Sequence, residues 1–156
     1  MQHIQYSARG STLKQPPIQG VVTVNVEALD HVNIITDRLD ETAEFYSKLL
    51  GLVRKDAPPP LTPETATWMF DEQDRAIIHI NSLDCYRTYD REVTPGELTG
   101  ALHHVALRCS NYEEVLGRIK EMGAEYQENL VEAISLRQIF TPDPNNVLLE
   151  LNFFAD

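Results

Sequence analysis

Two cysteines, Cys85 and Cys109, are all the thiol this 156-residue chain carries, and they are not closely spaced. So sparse a supply excludes a disulfide-built scaffold. With no signal-like start, it points to a reducing, cytoplasmic setting and two free thiols. Long apolar runs are also missing: none approaches the roughly 18 residues a membrane helix needs, so no membrane partner is expected. Positive charge is scarce, with 13 Lys and Arg against 24 Asp and Glu and a formal net charge of −11. Such a surface repels a phosphate backbone, and nucleic acid is not an expected partner.

The chain does have an ordinary apolar content, 42%, and it says one thing twice. Leu29-Asp30-His31-Val32-Asn33-Ile34 leads into an amphipathic segment that closes at Gly51, and Leu102-His103-His104-Val105-Ala106-Leu107 leads into one that closes at Gly123. His31 and His104 stand 73 residues apart (31 to 104), and His79 and Glu150 stand 71 apart (79 to 150). Each of these four sits in an apolar, strand-like run. A unit of about 70 residues buries little surface alone, so two copies sharing a core are expected rather than two beads.

Each copy reads as strand, helix, then further strands. In the first, Val32 and Ile34 share one strand face, and Leu29, His31, Asn33 and Ile35 the other. Thr36 or Asp37 can cap a helix carrying Leu39, Ala43, Tyr46, Leu49 and Leu50, with Gly51 as its stop. Pro58-Pro59-Pro60 breaks into a loop, and strands follow at Thr67–Phe70 and Ala76–Asn81. In the second copy, strand Leu102–Cys109 precedes a helix with Asn111 as cap, Val115, Leu116, Ile119 and Met122 as its stripe, and Gly123 as its stop. Strand candidates then lie at Tyr126–Leu130, Leu136–Thr141 and Val147–Phe153, the last entered through the turn Pro142-Asp143-Pro144-Asn145-Asn146. The expected fold is α+β, with two tandem βαβββ modules forming a curled mixed sheet around a metal site. Residues 1–26 form an N-terminal arm, 27–84 the first module, 85–100 a linker and 101–156 the second module, making one compact domain over 27–154. Val21–Val26 alternates and could add a strand.

Strand parity selects the chemistry. Val32 and Ile34 need a helix to cover them, so His31 and Asn33 face away from it. By the same argument His104, Ala106 and Arg108 oppose Val105 and Leu107, His79 opposes Ile78 and Ile80, and Glu150 and Asn152 oppose Leu149 and Leu151. A carboxylate flanked by Leu148, Leu149, Leu151 and Phe153 costs several kcal/mol if buried alone. A metal, an arginine or a raised pKa would each relieve that cost, and the repeated histidines favour the metal. Imidazole with carboxylate suits Ni, Co, Zn, Mn or Fe(II) and shows no thiolate preference. The candidate ligands are His31, His79, His104 and Glu150. His103 has the wrong parity. Arg108, Asn33, Trp68 and Arg137 are the candidate substrate contacts, with Trp68 and Phe70 on one strand face. One divalent ion per site is expected, and no organic cofactor.

Tandem βαβββ units opening on Leu-Asp-His-Val, and Phe140-Thr141-Pro142-Asp143-Pro144-Asn145-Asn146-Val147-Leu148-Leu149-Glu150-Leu151 near the end, resemble the vicinal oxygen chelate superfamily. That group includes glyoxalase I, methylmalonyl-CoA epimerase, extradiol dioxygenases, and fosfomycin- and bleomycin-resistance proteins. The resemblance covers about residues 28–154. It implies that His31 and His104 are first-strand ligands of the two copies and Glu150 a last-strand ligand. His79 stands where glyoxalase I and the epimerase carry Glu or Gln, so it is either a fourth ligand or an acid/base beside the metal. Asn146 replaces the usual turn glycine, which Asn tolerates.

The function this implies is that of a divalent-metal-dependent isomerase, epimerase or lyase acting on a small substrate with vicinal oxygens. It would work through a metal-stabilised enediolate, with His79 or Glu150 moving the proton. A second reading is a small Fe(II) extradiol dioxygenase holding iron on His31, His104 and Glu150. A third is a ligand-binding resistance protein without metal. Dimerisation is common in the superfamily, and a homodimer is expected.

Overall fold

The computed structural model describes residues 26–89 and 91–154. The expected arm and the Val21–Val26 strand lie outside them, except for exposed Val26. The alternation around Asn33 becomes β1, Val32–Thr36, and the apolar stripe from Leu39 becomes α1, Leu39–Leu50. Then come β2, Val53–Asp56, β3, Ala66–Phe70, and β4, Ala76–Ser82. The second copy repeats the order with β5, Val105–Arg108, α2, Tyr112–Met122, β6, Gln127–Val131, β7, Leu136–Pro142, and β8, Leu148–Phe154. A single 3-10 turn at Glu132–Ile134 joins β6 to β7. No helix among the described residues is long and apolar enough to cross a membrane.

Both helices stop at glycines in the left-handed region, Gly51 at φ 71° and Gly123 at φ 63°, where a Cβ is disfavoured. Their starts differ from expectation. Neither Thr36 nor Asp37 caps α1; the cap residue is Arg38, with no side-chain cap bond. The Thr36 hydroxyl is buried and accepts the Arg38 backbone N–H at 2.9 Å. Asn111 holds the cap position of α2 with φ 58° and likewise makes no side-chain cap bond. Strand β2, unforeseen above, is an exposed edge of sequence Val-Arg-Lys-Asp and has too little alternation to announce itself.

The strands form two four-stranded mixed sheets, ordered β1-β4-β3-β2 and β5-β8-β7-β6. In each, the first strand runs parallel to the last and the other pairs are antiparallel. The repeat is conserved in register: Asn33 pairs with His79, and Ala106, 73 residues on (33 to 106), pairs with Glu150. The inner faces share one core. Ile34, Met69, Ile78 and Ile80 of the first sheet and Ile139, Leu149, Leu151 and Phe153 of the second pack with Tyr46 and Leu49 of α1 and Leu116 and Ile119 of α2.

A buried polar seam also ties the copies. The turn after β7 inserts Asp143 and Asn145, each 5% exposed, beside the start of the first copy. Tyr46 Oη donates to Asp143 Oδ2 at 3.0 Å, Thr36 Oγ1 donates to Asn145 Oδ1 at 2.6 Å, and Asn145 Nδ2 donates to Thr42 Oγ1 at 2.9 Å. Asp143 Oδ1 accepts the backbone N–H groups of Asn145 and Val147, both at 2.8 Å. Burial still holds the Asp143 carboxyl above its ordinary value and the Tyr46 phenol well above its own. Asn146, at φ 63°, takes the left-handed conformation the turn demands.

Candidate metal centre

The outer faces of the two sheets carry the ligand-type side chains, two on each. On the first, His79 sits between two rings. Its imidazole stacks on Trp68, its cross-strand partner, with centroids 3.9 Å apart and an interplanar angle of 3°, and on His31 at 3.8 Å and 16°. Burial, then the neighbouring His31 charge, pulls His79 down from its ordinary value near 6.5 to about 4. It is therefore a neutral imidazole at neutral pH. His31 Nδ1 lies 2.6 Å from Asp30 Oδ2. When the ring is neutral, that bond places its proton on Nδ1 and leaves the Nε2 lone pair for an ion, the arrangement typical of a metal-ligating histidine.

On the second sheet, hydrogen bonds replace stacking. His104 Nε2 stands 3.2 Å from Glu150 Oε2. The other carboxylate oxygen, Oε1, accepts from Gln138 Nε2 at 2.8 Å and from Asn152 Nδ2 at 2.9 Å. Gln138 Nε2 also reaches Asn152 Oδ1 at 2.9 Å, while Gln138 Oε1 accepts from Asn129 Nδ2 at 2.7 Å. His103 Nδ1 and His104 Nδ1 are 3.0 Å apart, so His104 can keep its proton on Nδ1 and direct the Nε2 lone pair toward Glu150. In that tautomer the two atoms can share a cation; with the proton on Nε2, His104 donates to the Glu150 carboxylate directly. Ligand bonds of about 2.1 Å at right angles put two donor atoms about 3.0 Å apart, close to the spacing found.

The four candidate ligands do not converge within one chain. They form two pairs on the outer faces of different sheets, and among the described residues no three His, Cys, Asp or Glu side chains are grouped to hold an ion. The stack adds a constraint. Lone pairs in parallel rings 3.8 Å apart run side by side, so His31 and His79 as placed do not aim at one point.

The other expected contacts divide. Trp68 walls His79, and Asn33 pairs with it in register. Arg108 lies on the outer face in register with Asn152, its guanidinium 4.4 Å from the Phe154 ring centroid. Arg137 is not at the site, which corrects the expectation above. It lies one residue from Gln138 and so on the opposite face, where it pairs with Glu113 at 2.8 Å and stacks over Tyr112 at 3.3 Å. The residue that does reach Glu150 from β7 is Gln138. Its signal was available, since the parity that sends Ile139 inward sends Gln138 outward.

Paired βαβββ modules of this topology define a class of small α+β folds, and the comparisons narrow it. The family model of the Glyoxalase/Bleomycin resistance protein/Dioxygenase superfamily matches residues 28–151, and the chain belongs to that superfamily. It is 28% identical to Glyoxylase I 4 of Arabidopsis thaliana over 130 residues, which are 82% of this chain and 71% of that protein. Among solved structures, a protein from the mobile metagenome of V. pseudocholerae superposes with a TM-score of 0.66 at 13% identity, covering 86% of this chain and all of that one. The fosfomycin resistance protein FosX from Listeria monocytogenes, solved as a mutant with Mn(II) and 1S,2S-dihydroxypropylphosphonic acid, gives 0.55 at 21% identity over 81% of this chain and 90% of that one. At these identities the two structures share the fold.

Proposed function

We propose that this protein is a divalent-metal-dependent isomerase, epimerase or lyase acting on a small substrate with two adjacent oxygens. His31, His104 and Glu150 hold the ion, and a homodimer completes each centre. The observation that carries this reading is the His104–Glu150 pair: two ligand atoms 3.2 Å apart, with the second carboxylate oxygen already committed to two amide donors. Such bonds orient a ligand before the ion arrives. The ion supplies Lewis-acid polarisation of the substrate's oxygens.

His79 then takes the proton-moving role. It is neutral, its faces are covered by Trp68 and His31, and only its ring edge can receive a proton. A homodimer follows from the division of the ligands. Each chain offers two outer faces with half of a site, and the outer edges of β1 and β5 have no strand partner among the described residues. A second copy brings the first half-site of one chain to the second half-site of the other.

The three-ligand set also fits an Fe(II) extradiol dioxygenase, and the test separates the readings. Metal content is measured on anaerobically purified protein and on Glu150→Ala. Nickel, cobalt, zinc or manganese near one ion per chain, lost in the variant, is the expected result, joined by deuterium exchange into an α-hydroxycarbonyl substrate. Iron, with oxygen uptake on catechols, would favour the dioxygenase. Protein that neither carries nor takes up metal defeats both.

A further inference from the structure

The outer face of the first sheet does not end at His79. Two residues further along β4, on the same face and so about 7 Å away, Asn81 is 6% exposed, and its Oδ1 is buried without a hydrogen-bond partner. Buried amide oxygens almost always find a donor, and an orphan in a central strand costs stability. Asn81 is central indeed, in register with Ile35 of β1 on one side and Ala66 of β3 on the other.

The side chain lines a cavity of about 390 Å³ shared with Asn33, the Pro58–Leu61 loop, Tyr86, Arg87 and Tyr89. Tyr86 and Tyr89 are 67% and 83% exposed, so they form the rim and Asn81 the floor. Among the described residues of the lining Arg87 is the only charged group, and it binds the carbonyls of Ser82 and Leu83 at 3.2 and 3.0 Å. Prolines and tyrosines present flat, weakly polar surfaces. The floor needs a donor, and the neighbouring guanidinium disfavours a cationic one.

The geometry points to a substrate subsite here, built on Asn81, for a planar uncharged group bearing an N–H donor, of which a carboxamide is the simplest. This deepens the function proposed above, and rests on it only in assigning the substrate: one that places adjacent oxygens at the metal centre and an amide two residues along β4 from His79. Asn81 thereby selects among substrates without touching the reacting atoms.

The test uses the full chain and two probes of one shape, benzamide, which carries the donor, and methyl benzoate, which does not. Titrations are followed by the NMR signals of the Asn81 side-chain amide and the Tyr86 and Tyr89 rings. Benzamide is expected to shift all three and to bind at least about fivefold tighter than methyl benzoate, the value of one buried hydrogen bond. Asn81→Leu should erase that preference while leaving the thermal midpoint equal or higher and the metal content unchanged. Equal affinities, shifts that map elsewhere, or no binding of either probe would overturn the subsite. Metal loss in Asn81→Leu would overturn it too, by placing Asn81 in the metal centre. The wild-type comparison decides the matter even if the variant fails to fold. It needs no bound metal, so the failure of the enzyme reading and the failure of the subsite are distinguishable.

Discussion

The two outer faces have the same backbone and opposite chemistry. His31 and His104 precede the first strand of each sheet at equivalent positions, and His79 and Glu150 occupy equivalent rungs of the last. Yet the first face holds its imidazoles by stacking, with a hydrogen bond from His31 to Asp30. The second holds a carboxylate through Gln138 and Asn152. Stacking fixes a ring plane but leaves sliding and rotation cheap, whereas two amide donors fix an oxygen position. On the proposed metal reading the second face is a preset half-site, and the first would have to rearrange: the parallel His31 and His79 rings would part before either turned to an ion. Duplication preserved placement and let the means of holding diverge.

The sharpest way to break this comparison is to ask whether the halves meet across two chains. His31→Ala and Glu150→Ala proteins are each expected to lack metal. Mixed, unfolded and refolded together, they form heterodimers in which one site collects both lesions and the other none. Random pairing then restores about a quarter of an ion per chain. Elemental analysis after desalting reads the result, and a mixture that stays empty would mean both halves belong to one chain.

A smaller effect separates ligand from support. Gln138→Leu keeps the volume of the side chain and removes one of the two donors to Glu150 Oε1, so metal affinity should fall about 10- to 100-fold with the thermal midpoint of the metal-free protein little changed. Competition with a fluorescent chelator measures this. An unchanged affinity would show that Asn152 alone suffices to orient the carboxylate.

Legibility in the sequence followed the range of the forces involved. Strand parity is local, so Val32, Ile34, Val105 and Leu107 could be assigned to the core side, and His31, His79, His104 and Glu150 to the other, from alternation alone. Helix stops at Gly51 and Gly123 are local too. Division of the ligands between two sheets was not legible, because it depends on how α1 and α2 pack together. Nor was the seam: the Asp143-Pro144-Asn145 turn reads as a turn, but its partners Tyr46, Thr36 and Thr42 lie about a hundred residues away, and no periodicity records that distance. Arg137 and Gln138 were a matter of one residue. Charge drew attention to the arginine, while the pleat gave the site to the glutamine.

The first face should also reveal itself by its acid response. Folded His79 titrates near 4, against an ordinary value near 6.5. Between those values the unfolded chain takes up a proton that the folded one refuses, so His79 makes the metal-free protein lose stability as pH falls through that window, levelling below about 4. Asp143 responds in the opposite sense. Its raised carboxyl favours the folded state on the acid side and loses that contribution as pH rises through its folded value. Urea midpoints from pH 7 to 4 on wild type and His79→Gln separate the two, with the variant expected to show the shallower acid loss. Trp68→Ala, which opens one face of the ring to water, should move the His79 titration upward by NMR.

Arg137 gives the smallest effect and a useful control. Its ring contact is with buried Tyr112 and its ion pair is with exposed Glu113, both on the face of β7 turned away from Glu150. Solvent screening leaves such a pair little net value. Arg137→Ala should therefore leave metal affinity, and the acid response assigned to His79, where they are in the wild type. The same substitution would weaken metal binding only if Arg137 acted on Glu150 through Gln138, its neighbour in the strand. Measured beside Gln138→Leu, it tests whether the site is set by the pleat or by charge reaching through the sheet.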